Sequence, residues 1–192
     1  MVRKRALHAV MASIMVVVSV ILAQSPARAA GEIYGPYWLL DMSSKKCLAD
    51  PGTSMSDNTT MVIWDCLGLD DQKWNNETPV SNSDYWTFNA ASRKCLTVKN
   101  AVTTNNAAII QYTCNTGTNE RWTYEWHSLG GGLIPITVAG RGYFIDGYYK
   151  IKNLKSGRCL TVKNQGKTNG SALLQYDCDS PGSNMWAQLE IY

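Results

Sequence analysis

The residues with the most distinctive chemistry are six cysteines, and their spacing is regular. Cys47 to Cys66, Cys95 to Cys114 and Cys159 to Cys178 are each 19 residues apart. Thiols ligate zinc or oxidise to disulfides. No Cys-x-x-Cys occurs and His127 is the sole histidine beyond the N-terminal segment, so the set does not suit zinc. Three equal intervals predict three equivalent local bridges, each closing a loop of about 20 residues and worth roughly 3 kcal/mol in the chain-entropy account. Other reactive groups fail to form a constellation. Asp70-Asp71 lacks the further acidic ligands of a calcium loop, and His127 has no assignable nucleophile partner. Gly130-Gly131-Gly132 lacks the lysine and strand–helix setting of a phosphate cradle. Glycoside hydrolysis needs two carboxylates across a cleft, and nothing in the spacing of Asp50, Asp71 and Glu120 selects such a pair. The expectation is no catalytic residue, no metal and no cofactor.

The scaffold that positions these residues repeats with the cysteines. Ten residues before the first cysteine of each pair stand Tyr37, Tyr85 and Tyr149, and directly after it Leu48, Leu96 and Leu160. Two residues before the second cysteine stand Trp64, Tyr112 and Tyr176, and eight after it Trp74, Trp122 and Trp186. Units two and three share Cys-Leu-Thr-Val-Lys-Asn, at Cys95–Asn100 and Cys159–Asn164. Short apolar runs between Gly-, Asn- and Ser-rich turns read as strands. A unit this small cannot bury a core alone, so three must share one. This predicts an all-β fold: a β-trefoil of three homologous units with one disulfide per unit. The recurring Leu and Trp are read as its core. The units fall at about 34–80, 81–126 and 148–192. The step from Cys47 to Cys95 is 48 residues and from Cys95 to Cys159 is 64, so an insertion of loop or hairpin type is placed at about 127–147.

The N-terminus reads as an address. Arg3, Lys4 and Arg5 precede an apolar run from Val10 to Ala23, and Ala27-Arg28-Ala29 offers a small-x-small cleavage site. The run is too short to span a bilayer, which takes about 20 residues. A signal peptide at 1–29 and a mature domain at 30–192 are expected, with secretion, an oxidising environment and no membrane insertion. The leader holds four of the 18 basic residues, leaving 14 against 15 acidic ones. A nearly neutral mature chain has no electrostatic drive toward nucleic acid.

Gln72-Lys73-Trp74 resembles the Gln-x-Trp signature of the ricin-B-type lectins, and Cys-Leu followed by aromatic-x-Cys is its companion. Glu120-Arg121-Trp122 and Asn184-Met185-Trp186 are variants of the same motif. The resemblance implies carbohydrate binding in up to three shallow pockets, with an aromatic ring stacked on a sugar face and polar side chains on its hydroxyl rim. Trp64, Tyr112 and Tyr176 hold the family's platform position, and Asp71, Asn119 and Ser183 its Asn position. The family's Asp, two residues after the first cysteine, is replaced by Ala49, Thr97 and Thr161, with Asp50 one place late and able to substitute if the turn at Pro51-Gly52 redirects it. The family's Gln gives way to Val62, Ile110 and Leu174, with Gln111 and Gln175 displaced by one, which in a strand means the other face. Candidate carbohydrate-binding residues are therefore Asp50, Trp64, Asp71, Tyr112, Asn119 and Tyr176. Pocket one has the best set of ring and acceptors, and pocket three has little beyond Tyr176. Glycans or polysaccharides are the expected partners of a monomer. The alternative is a protein-interaction or inhibitor trefoil that has lost sugar binding and meets a secreted protein partner through the insertion.

Overall fold

A computed structural model describes residues 31–79, 83–180, 182 and 184–191, so the expected leader lies outside the described residues. Each unit contributes four strands. Unit one has β1 (Ile33–Asp41), β2 (Lys46–Ala49), β3 (Val62–Trp64) and β4 (Trp74–Glu77). Unit two has β5 (Tyr85–Asn89), β6 (Cys95–Val98), β7 (Ile109–Tyr112) and β8 (Arg121–Ser128). A hairpin of β9 (Ile134–Val138) and β10 (Arg141–Ile145) follows. Unit three has β11 (Gly147–Asn153), β12 (Cys159–Val162), β13 (Ser171–Tyr176) and β14 (Trp186–Glu190).

The outer strands of the units close a barrel. β1 pairs β4, β4 pairs β5, β5 pairs β8, β8 pairs β11, β11 pairs β14 and β14 returns to β1, every pair antiparallel. The inner strands form three hairpins, β2–β3, β6–β7 and β12–β13, that cap one end of it. This is the β-trefoil. Its bridges are Cys47–Cys66, Cys95–Cys114 and Cys159–Cys178.

The core is three-fold as well. Trp74, Trp122 and Trp186 are buried with Leu48, Leu96 and Leu160. Each indole N–H donates to the carbonyl of its own unit's leucine, at 3.0, 2.8 and 3.0 Å. A buried indole needs such an acceptor, and the leucine strand supplies it in every unit. The first residue of each Gln-x-Trp-type motif pins the loop after the second cysteine. Gln72 donates to Asp65 O and accepts from Leu67 N, Glu120 accepts from Asn115 N, and Asn184 donates to Cys178 O.

Neighbouring units are latched by a loop of one reaching the next. Asp57 pairs with Lys94 and accepts from Thr113 N; Asn105 contacts Arg158 and Asp177; Asn169 accepts from Asp65 N and so joins unit three back to unit one. The β9–β10 hairpin lies on the outside of the barrel. Val138, Ile145, Ile136 and Tyr143 cover Trp38, Leu40, Ala187 and Leu189, which alternate with the inward-facing residues of β1 and β14. Its other side exposes Phe144.

Candidate functional site

The three-fold generates three related positions, each where one unit meets the next, and the second and third are hollows. The floor of each is the hairpin strand before the second cysteine. One wall is the turn after the cysteine-leucine strand, and the opposite wall is a loop tip of the preceding unit. The second hollow encloses about 320 Å³ around Tyr112, with Thr97, Asn100 and Asn119 from unit two and Asn58 from unit one. The third encloses about 420 Å³ around Tyr176, with Thr161, Asn164 and Gln165 from unit three and Asn106 from unit two. Tyr112 is 38% exposed, so its ring is presented to solvent and not packed under a loop.

The wall turns are unusual in backbone. Asn100 and Ala101 sit at φ 56° and 52°, Asn164 and Gln165 both at 53°. Two consecutive left-handed residues lift the first side chain out of the strand. Asparagine is the non-glycine residue that tolerates this best. The loop tips Asn58 and Asn106 are left-handed too, at φ 65° and 68°. Each of these two hollows thus combines one phenol ring with amides that both donate and accept, the pairing that a pyranose face and its hydroxyl rim require. Thr97 and Thr161, at the family's Asp position, donate their hydroxyls to Cys95 O and Cys159 O, leaving only acceptor capacity. Asn119 donates to Val98 O at 3.2 Å, which fixes it against the strand end.

The first position differs. Trp64 is 40% exposed, a usable platform, but the facing loop tip is Gly170, which brings no side chain. The turn at Pro51-Gly52 does not redirect Asp50 to the surface, as the sequence reading required. Its residue exposure is 0%, so its carboxylate is out of reach of a sugar. It sits three residues after Cys47, where units two and three bury Val98 and Val162 in the core. The nearby Gln111 amide already gives its hydrogens to Ser54 O and Ser56 O, and neither Asp50 oxygen finds a donor. Burial first, and the negative charge of Asp71 second, push the Asp50 carboxyl up to about 7. Burial also raises the Asp71 carboxyl. The residues expected to make the best pocket are therefore split, with Trp64 outside and Asp50 inside.

The sequence profile described as "Ricin-type beta-trefoil lectin domain-like" matches residues 70–146 and 137–190. The chain belongs to the ricin-type β-trefoil lectin-like family. Its structure is similar to the designed three-fold symmetric protein ThreeFoil, at 27% identity and a TM-score of 0.69, covering 82% of this chain and 100% of that one. It is also similar to 1,3Gal43A, an exo-β-1,3-galactanase from Clostridium thermocellum, at 25% identity and a TM-score of 0.67. There 82% of this chain spans only 30% of the galactanase chain. A Polyporus squamosus lectin bound to the epitope Neu5Acα2-6Galβ1-4GlcNAc shares the fold, at 18% identity and a TM-score of 0.58, covering 81% of this chain and 48% of the lectin. No curated protein sequence matches the chain.

Within this ricin-type trefoil, sequence reasoning missed the wall asparagines. The signal was present, since Asn100 and Asn164 close the repeated Cys-Leu-Thr-Val-Lys-Asn. What that string could not show is the left-handed turn that lifts them into the hollow. The displaced Gln111 and Gln175 do face the other way. Both are fully buried; Gln175 donates to Val102 O and Thr104 O, and each accepts from a serine, Ser92 or Ser156. They tie down the loops that end in Asn58 and Asn106.

Proposed function

We propose that this chain is a secreted glycan-binding protein without catalysis of its own, working as a monomer through its second and third hollows. The observation that carries the reading is the coupling, at both hollows, of a tyrosine platform with amides from two adjacent units. Neutral amides suit the hydroxyls of a neutral glycan. Each hollow is shallow, so useful strength comes from two hollows meeting one multivalent chain. Trp64, 40% exposed, offers a weaker third platform. Family membership and the lectin neighbour support the reading. Secretion is supported by the basic, apolar, small-x-small leader and by three disulfides.

The test is binding of the protein to an array of mono-, oligo- and polysaccharides beside Trp64→Ala, Tyr112→Ala and Tyr176→Ala. One glycan class should bind, and Tyr112→Ala and Tyr176→Ala should each weaken it more than Trp64→Ala. A folded, correctly bridged protein that binds no glycan would sink the proposal.

A protein-binding reading has an observation of its own. Leu133 is 62% and Phe144 71% exposed on the hairpin. A stoichiometric protein captured from the native secretome, and released by Phe144→Ser, would favour it.

A further inference from the structure

Beneath the tryptophan layer, at the end of the barrel away from the hairpin cap, the interior is lined by a second three-fold layer. Ten residues before each first cysteine come Tyr37, Tyr85 and Tyr149, and two residues after each core tryptophan come Asn76, Tyr124 and Gln188. With Tyr34 they enclose an open cavity of about 200 Å³. Its rings touch edge to face in a continuous arc. Tyr34 to Tyr85 is 6.5 Å between centroids, Tyr85 to Tyr124 5.5 Å, Tyr124 to Tyr149 5.8 Å and Tyr149 to Trp126 5.1 Å. Trp126 stands outside the lining, against Tyr149, and is 48% exposed. It is seated against Gly147, where a Cβ would come within 2.3 Å of the indole. The neighbouring backbone has therefore made room for this ring.

One phenol of the lining is held from within. The Tyr124 hydroxyl is bonded to Thr87 at 2.9 Å and donates to Asn76 Oδ1 at 3.1 Å. What a ligand meets is a mixed lining of phenol rings, phenol hydroxyls and the Asn76 and Gln188 amides. Acidic groups surround it. Tyr34 donates its hydroxyl to Glu32, Glu190 lies opposite Tyr37 in the β1–β14 register, and Asp146 lies near Tyr149. The Tyr34 hydroxyl is held up chiefly by its hydrogen bond to Glu32, and those of Tyr37 and Tyr149 by burial and then by neighbouring groups. Ring faces and carboxylates both attract positive charge. A cavity below the roughly 300–1,000 Å³ that takes a drug-sized ligand suits a compact headgroup better than an oligosaccharide.

We propose that this axial aromatic mouth binds an organic cation, a quaternary or multiply methylated ammonium group, independently of the two glycan hollows at the unit junctions. The test is an NMR titration of the whole protein with choline and with its uncharged isostere 3,3-dimethylbutan-1-ol, following the aromatic resonances. Choline should shift Tyr34, Tyr149 and Trp126, and the isostere should bind far more weakly. Trp126→Ala and Tyr34→Ala, the two exposed rings of the arc, should each weaken choline by roughly three- to tenfold, as expected for losing one cation–π contact. Tyr112→Ala and Tyr176→Ala should leave it unchanged. Equal binding of choline and the isostere, insensitivity to both Trp126→Ala and Tyr34→Ala, or no shift at these rings in the folded protein would each overturn the proposal.

Discussion

Asp50 and Val98 occupy equivalent positions, three residues after the first cysteine of their units, and both are fully buried. A carboxylate thus stands where the fold elsewhere places a branched apolar side chain. With its carboxyl raised from 3.8 to about 7, native Asp50 keeps a proton that the unfolded chain releases between those values. The unfolded state binds fewer protons there, so stability is full below about pH 4, falls as the pH rises toward 7 and then levels off. Asp50→Val should stabilise the protein at pH 8 by on the order of a few kcal/mol, with a smaller gain at pH 4, where only a neutral unpaired carboxyl is removed. Thermal unfolding at the two pH values checks this, and an equal gain at both would show that charge burial is not the cause.

Asp41 departs from the repeat in the same direction. Its counterparts Asn89 and Asn153 donate to backbone carbonyls, Asn89 to Asp71 O at 2.9 Å and Asn153 to Asn119 O at 3.0 Å. Asp41 is equally buried and accepts from Ser44 N, but its second oxygen has no donor, and burial raises its carboxyl. Asp41→Asn restores a donor without changing shape. It should add about 1–2 kcal/mol at pH 8, seen as a higher midpoint in denaturant at unchanged slope. A lower midpoint would mean the carboxyl serves a contact that an amide cannot replace.

Gln175 joins the interior to the third hollow. Gln175→Leu leaves Val102 O, Thr104 O and the Ser156 hydroxyl without their partner and should cost about 2–3 kcal/mol. The unit-one counterpart is Ile63, so an apolar side chain fits the site. Hydrogen exchange should speed up first in the loop that carries Asn106, and glycan affinity at the third hollow should fall with it. Uniform loss of protection would instead indicate global destabilisation alone.

Asn164 separates backbone from side-chain roles. At φ 53° glycine is comfortable and alanine is strained. Asn164→Gly should keep the melting temperature close to the parent's, while Asn164→Ala should lose about 1 kcal/mol. Both should weaken glycan binding to a similar degree. Unchanged binding in the glycine variant would remove this amide from the site.

The sequence was informative wherever three copies agreed. The cysteine intervals, the leucines and the tryptophans gave the trefoil, its bridges and its core because each residue type has one physical use at its position. It misled where one unit differs. Asp50 looked like a surface acceptor because carboxylates are seldom buried without partners, and only its alignment with Val98 and Val162 reveals the core position. Asn100 and Asn164 were visible as repeats, but their use depends on a left-handed backbone that residue type alone does not specify. The tyrosines ten residues before the cysteines registered as repeat markers, and only barrel closure brings them to one axis.

The latch from Asn169 back to Asp65 makes the molecule a cycle without a privileged beginning. β1 already lies against β14, with Tyr37 opposite Glu190. A circular permutant opened between units one and two, its former ends joined by a short tether, would keep every inter-unit contact and every bridge. Chain order is incidental to this fold, and each hollow belongs to a junction between units and to no single unit.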